Sequence, residues 1–144
     1  MSANSRMTVA VHALAWMALA ERRGHAVLTS AEVAASVNTN PVIIRRCLGD
    51  LREAGLVRVR HGTGAGWRLA RAPEAITLLQ VHDAIGQQPP FGLHASEPNL
   101  ECPVGQGIRP ALSRLYGGIE QTMRRELAAI SIADVLRDTL QARP

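Results

Sequence analysis

Two adjacent arginines, Arg45 and Arg46, lie inside "NTNPVIIRRCLGDLREAGL", residues 38–56. A guanidinium is a rigid, permanently charged fork that can bond two acceptors at once, on a phosphate or on the edge of a guanine. Other groups suited to anions stand nearby. Thr29, Ser30, Thr39 and Asn40 fall where two helices should begin, and free backbone N–H groups at a helix start favour phosphate oxygens. Plain capping explains the same four residues, and the two roles are compatible. Pro41 and Val42 complete the start of the arginine-bearing helix. Arg58, Arg60 and Arg68 flank the glycine-rich stretch "HGTGAG" (61–66), whose His61 and Thr63 are further contact candidates. At least one of these arginines is expected to face phosphate, although a simple charged hairpin would look the same.

Other chemistries have less support. Cys102 in "ECPVG" is a candidate redox sensor, because a thiol near a helix start can lose its proton easily and react with oxidants. Glu101 beside it works against that, and an inert loop thiol is the alternative. A thiol enzyme would need an activating base or cation, and Arg109 is the near candidate in sequence. His82, His94 and Cys102 have no metal-site spacing, so no metal is expected. Cys47, Trp16 and Trp67 read as core residues. The "GTGAGW" stretch follows a strand but opens no helix, so it is not a nucleotide-binding loop. No catalytic triad or carboxylate pair is evident, and no enzymatic activity is expected.

The arginines need a frame. Residues 5–23 carry apolar side chains on nearly all sides and predict a buried helix ending at Gly24. Thr29 and Glu32 have capping-box spacing and start a short second helix. Asn40 caps a third, with Pro41 at the first helical position, running to about Ala54 and stopping at Gly55. In it Ile44, Leu48 and Leu51 share one face, Cys47 lies at its edge, and Val42, Arg45, Arg46 and Gly49 project outward. "LVRVR" (56–60) alternates as a half-buried strand, and "WRLA" (67–70) returns. Helix, short helix, tight turn, longer helix and hairpin together predict a winged helix-turn-helix.

Behind this block, residues 73–86 predict one more helix with Pro73 at its break and Glu74 or Thr77 near its start. Residues 87–107 hold four prolines and three glycines and read as a loop. Ile108, Leu112, Leu115, Ile119, Met123 and Leu127, continuing to Ile130, recur at spacings of 3 and 4 and predict a long helix over 108–130. Little remains in the chain to cover that stripe, so a two-fold partner is expected on it. "SIADVLRDTL" (131–140) predicts a last helix capped by Ser131. The reading divides the chain into 1–86 as a winged helix-turn-helix domain, 87–107 as a loop, and 108–144 as the dimerisation and C-terminal helices. The fold class is mainly α with a small β-hairpin wing.

Charge supports that division. Residues 1–72 hold 10 Arg against 4 acidic residues, and residues 73–144 hold 6 Arg against 8, with no lysine anywhere. A basic front half suggests a polyanion-binding module joined to something else. With 47% hydrophobic but only 3% aromatic residues, the core must be built from Leu, Val, Ile and Ala. No apolar run approaches a membrane span of roughly 20 residues, and neither a signal peptide nor a disulfide framework is indicated. A reducing, cytoplasmic setting is expected.

"VNTNPVIIRRCLGDLREAGLV", followed by "GTGAGWRLAR", "ITLLQVHDAI" and "CPVG", resembles the BadM/Rrf-two family of bacterial transcription regulators over about residues 5–140. The resemblance implies a homodimeric winged-helix protein that binds double-stranded DNA at near-palindromic promoter sites, joined through the long helix. Several members of the family carry an iron–sulfur cluster on three closely spaced cysteines before that helix. This chain departs from the pattern: its loop holds only Cys102. His94, Glu97 and Glu101 are weak substitutes, so no iron–sulfur cofactor is expected and Cys102 can be a remnant thiol. In this frame the helix over 41–54 enters the major groove, with Arg46 preferred over Arg45 for reading a base, and the wing over 57–69 touches backbone or minor groove. A repressor responding to a small-molecule effector or to thiol oxidation is expected, with no membrane partner. The rival readings are a winged helix that docks a protein partner and a Cys102 thiol enzyme.

Overall fold

The computed structural model describes residues 3–144, with side chains from Ser5 onward. Its elements run α1 (Ala3–Arg22), α2 (Ser30–Val37), α3 (Pro41–Glu53), β1 (Val57–Arg60), β2 (Gly66–Leu69), α4 (Leu78–Ala84), α5 (Pro103–Ala128) and α6 (Ile132–Gln141). The chain forms two units. One comprises the residues up to Gln87 together with Leu127–Pro144; the other is Gln88–Glu126.

In the first unit, short-range chemistry sets the helix starts. The Thr29 Oγ1 accepts from the Glu32 N–H at 3.1 Å, and the Thr29 N–H donates to Glu32 Oε2 at 2.7 Å. The same reciprocal cap recurs at Thr77–Gln80 and Ser131–Asp134. These bonds hold the Glu32 and Asp134 carboxyls below the usual carboxylate range, the backbone N–H being the main cause in each. Asn40 Oδ1 accepts from the Val42 N–H at 2.8 Å, with Pro41 at the first helical position. Between α2 and α3, Asn38 takes the left-handed conformation, φ 64°, that makes the turn tight.

The core is aliphatic. Leu14, Val33, Ile44, Leu48, Leu51, Leu56, Val57, Ile76, Val81 and Ile132 are fully buried. Full burial of side chains this size is worth about 1.5–3 kcal/mol each before entropy is counted. The stripe Ile44–Leu48–Leu51 therefore fixes which face of α3 looks outward.

β1 and β2 pair antiparallel with Val57 opposite Leu69 and Arg60 opposite Gly66. Leu28 bridges to the other edge of β2: its N–H donates to the Trp67 carbonyl at 2.9 Å and its carbonyl accepts from the Trp67 N–H at 2.7 Å. This close approach explains Gly66. A Cβ there would lie 2.9 Å from the Leu28 carbonyl oxygen and 3.0 Å from Val27 Cβ. Gly66→Ala is expected to cost about 1–3 kcal/mol of stability, because backbone must move to accept the methyl. Chemical denaturation of the two proteins checks this.

Three elements differ from the sequence expectation. Residues 73–86 are not one helix: Pro73–Ala75 is a 3₁₀ turn, Ile76 is extended, and α4 starts only after the Thr77 cap. α5 begins at Pro103, five residues before 108. Its first turns hold Gly105, Gly107 and Pro110, poor helix formers that mask the signal; Pro103 sits at a helix start as Pro41 does. Finally, the sequence division grouped α6 with the dimerisation helix, whereas α6 packs on α1 and on the 73–75 turn. Ile132 and Leu136 are part of the core. A bridge between Thr77 and Ser131 joins the starts of α4 and α6, with the Leu78 N–H on the Ile130 carbonyl and the Ile132 N–H on the Ile76 carbonyl.

In the second unit, α5 has no buried residue. Leu115 and Ile119 are 50% and 49% exposed and Ile108 36%; Leu112 and Met123 are half-buried, as is Leu127, the helix residue that belongs to the first unit. The segment before α5 is tied down. The Glu101 N–H donates to Asn99 Oδ1, the Cys102 N–H to the Asn99 carbonyl, and Gln106 Nε2 to the Leu100 carbonyl. A Cβ on Gly105 would overlap the Asn99 carbonyl, so only glycine lets this turn fold over the helix start. Phe91 and Tyr116 rings lie 5.3 Å apart between the loop and α5. No described helix is long and apolar enough to cross a membrane.

Candidate nucleic-acid interface

The outward face of α3 carries Val42, Arg45 and Arg46, all exposed, with Val42 47% exposed despite being apolar. Among the described residues neither arginine makes an ion pair or a side-chain hydrogen bond. The same is true of Arg58, Arg60 and Arg68 on the wing, all exposed. Elsewhere arginines find carboxylates: Arg137 bonds Asp134 and Asp138. A face of unpaired guanidiniums is uncompensated positive charge, which is what a polyanion requires.

The two arginines diverge by about 100° on the helix. Arg45 shares a row with Val42, Gly49 and Arg52. That row runs toward the wing, where the Arg52 guanidinium lies 5.9 Å from the Trp67 ring centroid. Arg46 instead lies at the rim of a cleft lined by Arg6, Val9, Ile43, Cys47, Asp50 and Ile85. Arg45 is therefore the residue on the outward row, and Arg46 stands to its side.

The wing is braced from α2. Trp67 is half-buried, packed against the core as expected, and its Nε1 donates to Ser30 Oγ at 3.2 Å. Ser30 thus joins the helix-turn-helix to the hairpin. Thr29 is committed to its capping box and Asn40 to its cap, yet both stay exposed at the surface; Thr39 is half-buried at the turn. Trp16 is half-buried against the core. His61 and Thr63 lie exposed at the tip, and the Arg60 guanidinium folds beside Gly64.

Sequence reasoning missed Arg52 and Arg71. Together with Arg58 and His61 they line a shallow groove beside β1 that has no acidic lining residue. The spacing of Arg52, seven residues after Arg45, was available; that of Arg71 depends on the hairpin register.

The two thiols sit in opposite environments. Cys102 is exposed at the start of α5, where the N–H groups of Gly105 and then Val104 hold its thiol below the ordinary value. Cys47 is half-buried, and burial, with Asp50 adding to it, pushes its thiol up to about 11. Iodoacetamide at neutral pH is therefore expected to label Cys102 and leave Cys47 intact, with Cys47 reacting only as the pH approaches its raised value. Equal labelling at pH 7, read by peptide mass analysis, would contradict this assignment. His94 and Glu97 line a cavity of about 550 Å³ with Arg109, Leu112 and Tyr116.

The sequence profile of the Rrf2 family, described as iron-dependent transcriptional regulators, matches residues 3–138. YwnA of Bacillus subtilis (strain 168), assigned as an HTH-type transcriptional regulator, is 38% identical over 135 residues, covering 92% of this chain and 96% of its own. The HTH-type transcriptional regulator IscR of Cereibacter sphaeroides is 24% identical over 144 residues, covering 100% and 92%. The solved structure of T. potens IscR superposes with a TM-score of 0.73 at 19% identity, covering 100% of this chain and 90% of its own, a likeness of fold. The family description names iron. A thiolate-ligated cluster needs several cysteines. Here the segment before α5 supplies Cys102 alone, and among the described residues no three His, Cys, Asp or Glu side chains are grouped to hold a metal. The donor set does not fit such a cluster. What remains is a helix-turn-helix with an unpaired arginine face and a braced wing, matched to a family profile across nearly its whole length: this chain is a DNA-binding transcriptional regulator of the Rrf2 family.

Proposed function

We propose that the chain is a homodimeric repressor that reads a near-palindromic promoter site, with α3 in the major groove and the β1–β2 wing against backbone or minor groove. The observation that carries this reading is the row Val42–Arg45–Gly49–Arg52, with Val42, Arg45 and Arg52 exposed, unshielded by carboxylates and continuous with the wing through Trp67. Arg45, on that row, is the base reader, replacing the preference for Arg46 drawn from sequence; Arg46 holds phosphate. Val42 has the apolar surface to meet a thymine methyl. Thr29, Thr39, Asn40 and Pro41 supply backbone-side contacts at the helix starts. Arg58, Arg60, His61 and Thr63 do so from the wing, and the unpartnered α5 stripe takes the second copy.

The signal is a second part of the proposal. The thiolate-favouring position of Cys102 supports thiol oxidation there; a small effector is the other route.

The test is selection from a random-sequence duplex library by the purified, reduced protein at moderate salt. A two-fold symmetric site with half-sites about one helical turn apart is the expected result. Salt-sensitive general binding with no enrichment would instead favour a protein-docking winged helix.

A further inference from the structure

Arg46 apart, the residues lining the cleft beside it have no part in the proposed reading of DNA. It opens between α1, α3 and the end of α4, has a volume of about 580 Å³, and lies wholly within the first unit. That is the size range of small-molecule sites. Its walls are apolar at Val9, Ile43 and Ile85. The Cys47 thiol adds an uncharged wall at neutral pH, since its proton is held up to about 11. Charge sits at the rim. Arg6 and Arg46 are both present there, and Asp50 is the one carboxylate in the lining.

The Arg6–Asp50 pair is loose. The guanidinium and carboxylate are 3.4 Å apart, and the two side chains are 44% and 42% exposed. Such a surface pair contributes little, so a better-placed carboxylate can replace Asp50 at small cost. Arg46 has no ionic or hydrogen-bonded side-chain partner among the described residues. The site therefore offers two arginines, one wholly unpaired and one weakly paired, above an apolar recess. That combination matches a small molecule with one carboxylate and an apolar body.

We propose that this cleft is an effector site for a small apolar monocarboxylate, whose carboxylate bonds Arg6 and Arg46 while its body lies on Val9, Ile43 and Ile85. Occupancy draws Arg46 toward α1, away from the face that meets phosphate, and so weakens DNA binding. By reciprocity, DNA weakens the ligand by the same factor. The coupling half rests on the reading of α3 as the groove helix; the binding half does not.

The experiment uses the full-length protein labelled with ¹⁵N and three probes, hexanoate, phenylacetate and N-acetylleucine, each beside its neutral amide. Saturable shifts of the Val9, Ile43, Arg46 and Cys47 amides are expected with at least one acid and with none of the amides. Arg6→Gln should weaken that binding about tenfold or more, as loss of a charge-assisted bond does. Asp50→Asn, which removes the competing carboxylate, should tighten it. A purely structural Arg6–Asp50 pair would not give opposite signs. No saturable shift with any acid on the order of 10 mM, the weak range of fragments this size, would overturn the site; so would equal response to acids and amides. Operator binding is then read separately. The active acid should lower operator affinity of the wild type and leave the residual affinity of Arg46→Ala unchanged. An acid that binds without changing operator affinity would overturn the coupling and leave the site standing.

Discussion

Leu115→Glu with Ile119→Glu is expected to convert the proposed dimer to monomers and to lower operator affinity by about a hundredfold or more. These two side chains are half exposed at the middle of an apolar row that spans α5, a helix in which no residue is buried. Exposed rows of this length mark an interaction surface, and antiparallel or parallel pairing of two copies would bury them against each other. Two glutamates per chain would place four charges in that seam, where desolvation is costly and like charges face one another. The fold of the first unit should survive, because neither residue contributes to its core. DNA binding should fall because each half-site is then bound alone: joining two modules raises affinity by about 10²–10⁴ without new contacts. Sedimentation measures the first effect and operator titration the second. A variant that sediments as a dimer would show that another face joins the copies.

Arg45→Ala and Arg46→Ala should separate two kinds of contact. A bidentate contact to guanine is worth about 1–3 kcal/mol of discrimination, so Arg45→Ala should lose binding to the selected site and relax preference at one base position in each half-site. Arg46→Ala should weaken all sequences alike and reduce the salt dependence by about one phosphate contact. The double variant should retain only general binding. Both side chains are exposed and unpaired, so thermal stability should stay near that of the parent. A folded double variant that binds its operator unchanged would show that α3 does not enter the groove.

Which parts of this architecture were legible in the sequence follows from interaction range. The starts of α2, α3 and α6 rest on pairs three residues apart or closer, Thr29–Glu32, Asn40–Val42 and Ser131–Asp134, and each was readable. The outward face of α3 followed from the 4-and-3 spacing of Ile44, Leu48 and Leu51. The wing followed from alternation in "LVRVR". What was hidden depends on distant partners. The packing of Trp67 against the core was readable, but nothing local reveals Ser30 as its hydrogen-bond acceptor 37 residues earlier. The cleft side of Arg46 needs α1 and α4 in place. The true start of α5 was masked by Gly105, whose role is to admit the Asn99 carbonyl, a contact across a turn that propensity alone cannot anticipate. The docking of α6 onto α1 links chain segments more than a hundred residues apart.

That last connection sets an order of events in the making of the protein. The Thr77–Ser131 bridge closes a detour of some fifty residues, and Ile132 and Leu136 reach the core only after the detour has been translated. A growing chain holds α1 to α4 early but lacks the layer that covers α1 until α6 has been made. Closing so long a detour costs only slowly increasing entropy, so the delay is tolerable once α6 arrives. A fragment ending near residue 86 would leave bare the faces of α1 and the 73–75 turn that α6 covers. The polypeptide thus completes the core of its proposed groove-reading half only after it has also made the helix by which it is proposed to pair, so a finished DNA-binding unit would always come with its pairing helix attached.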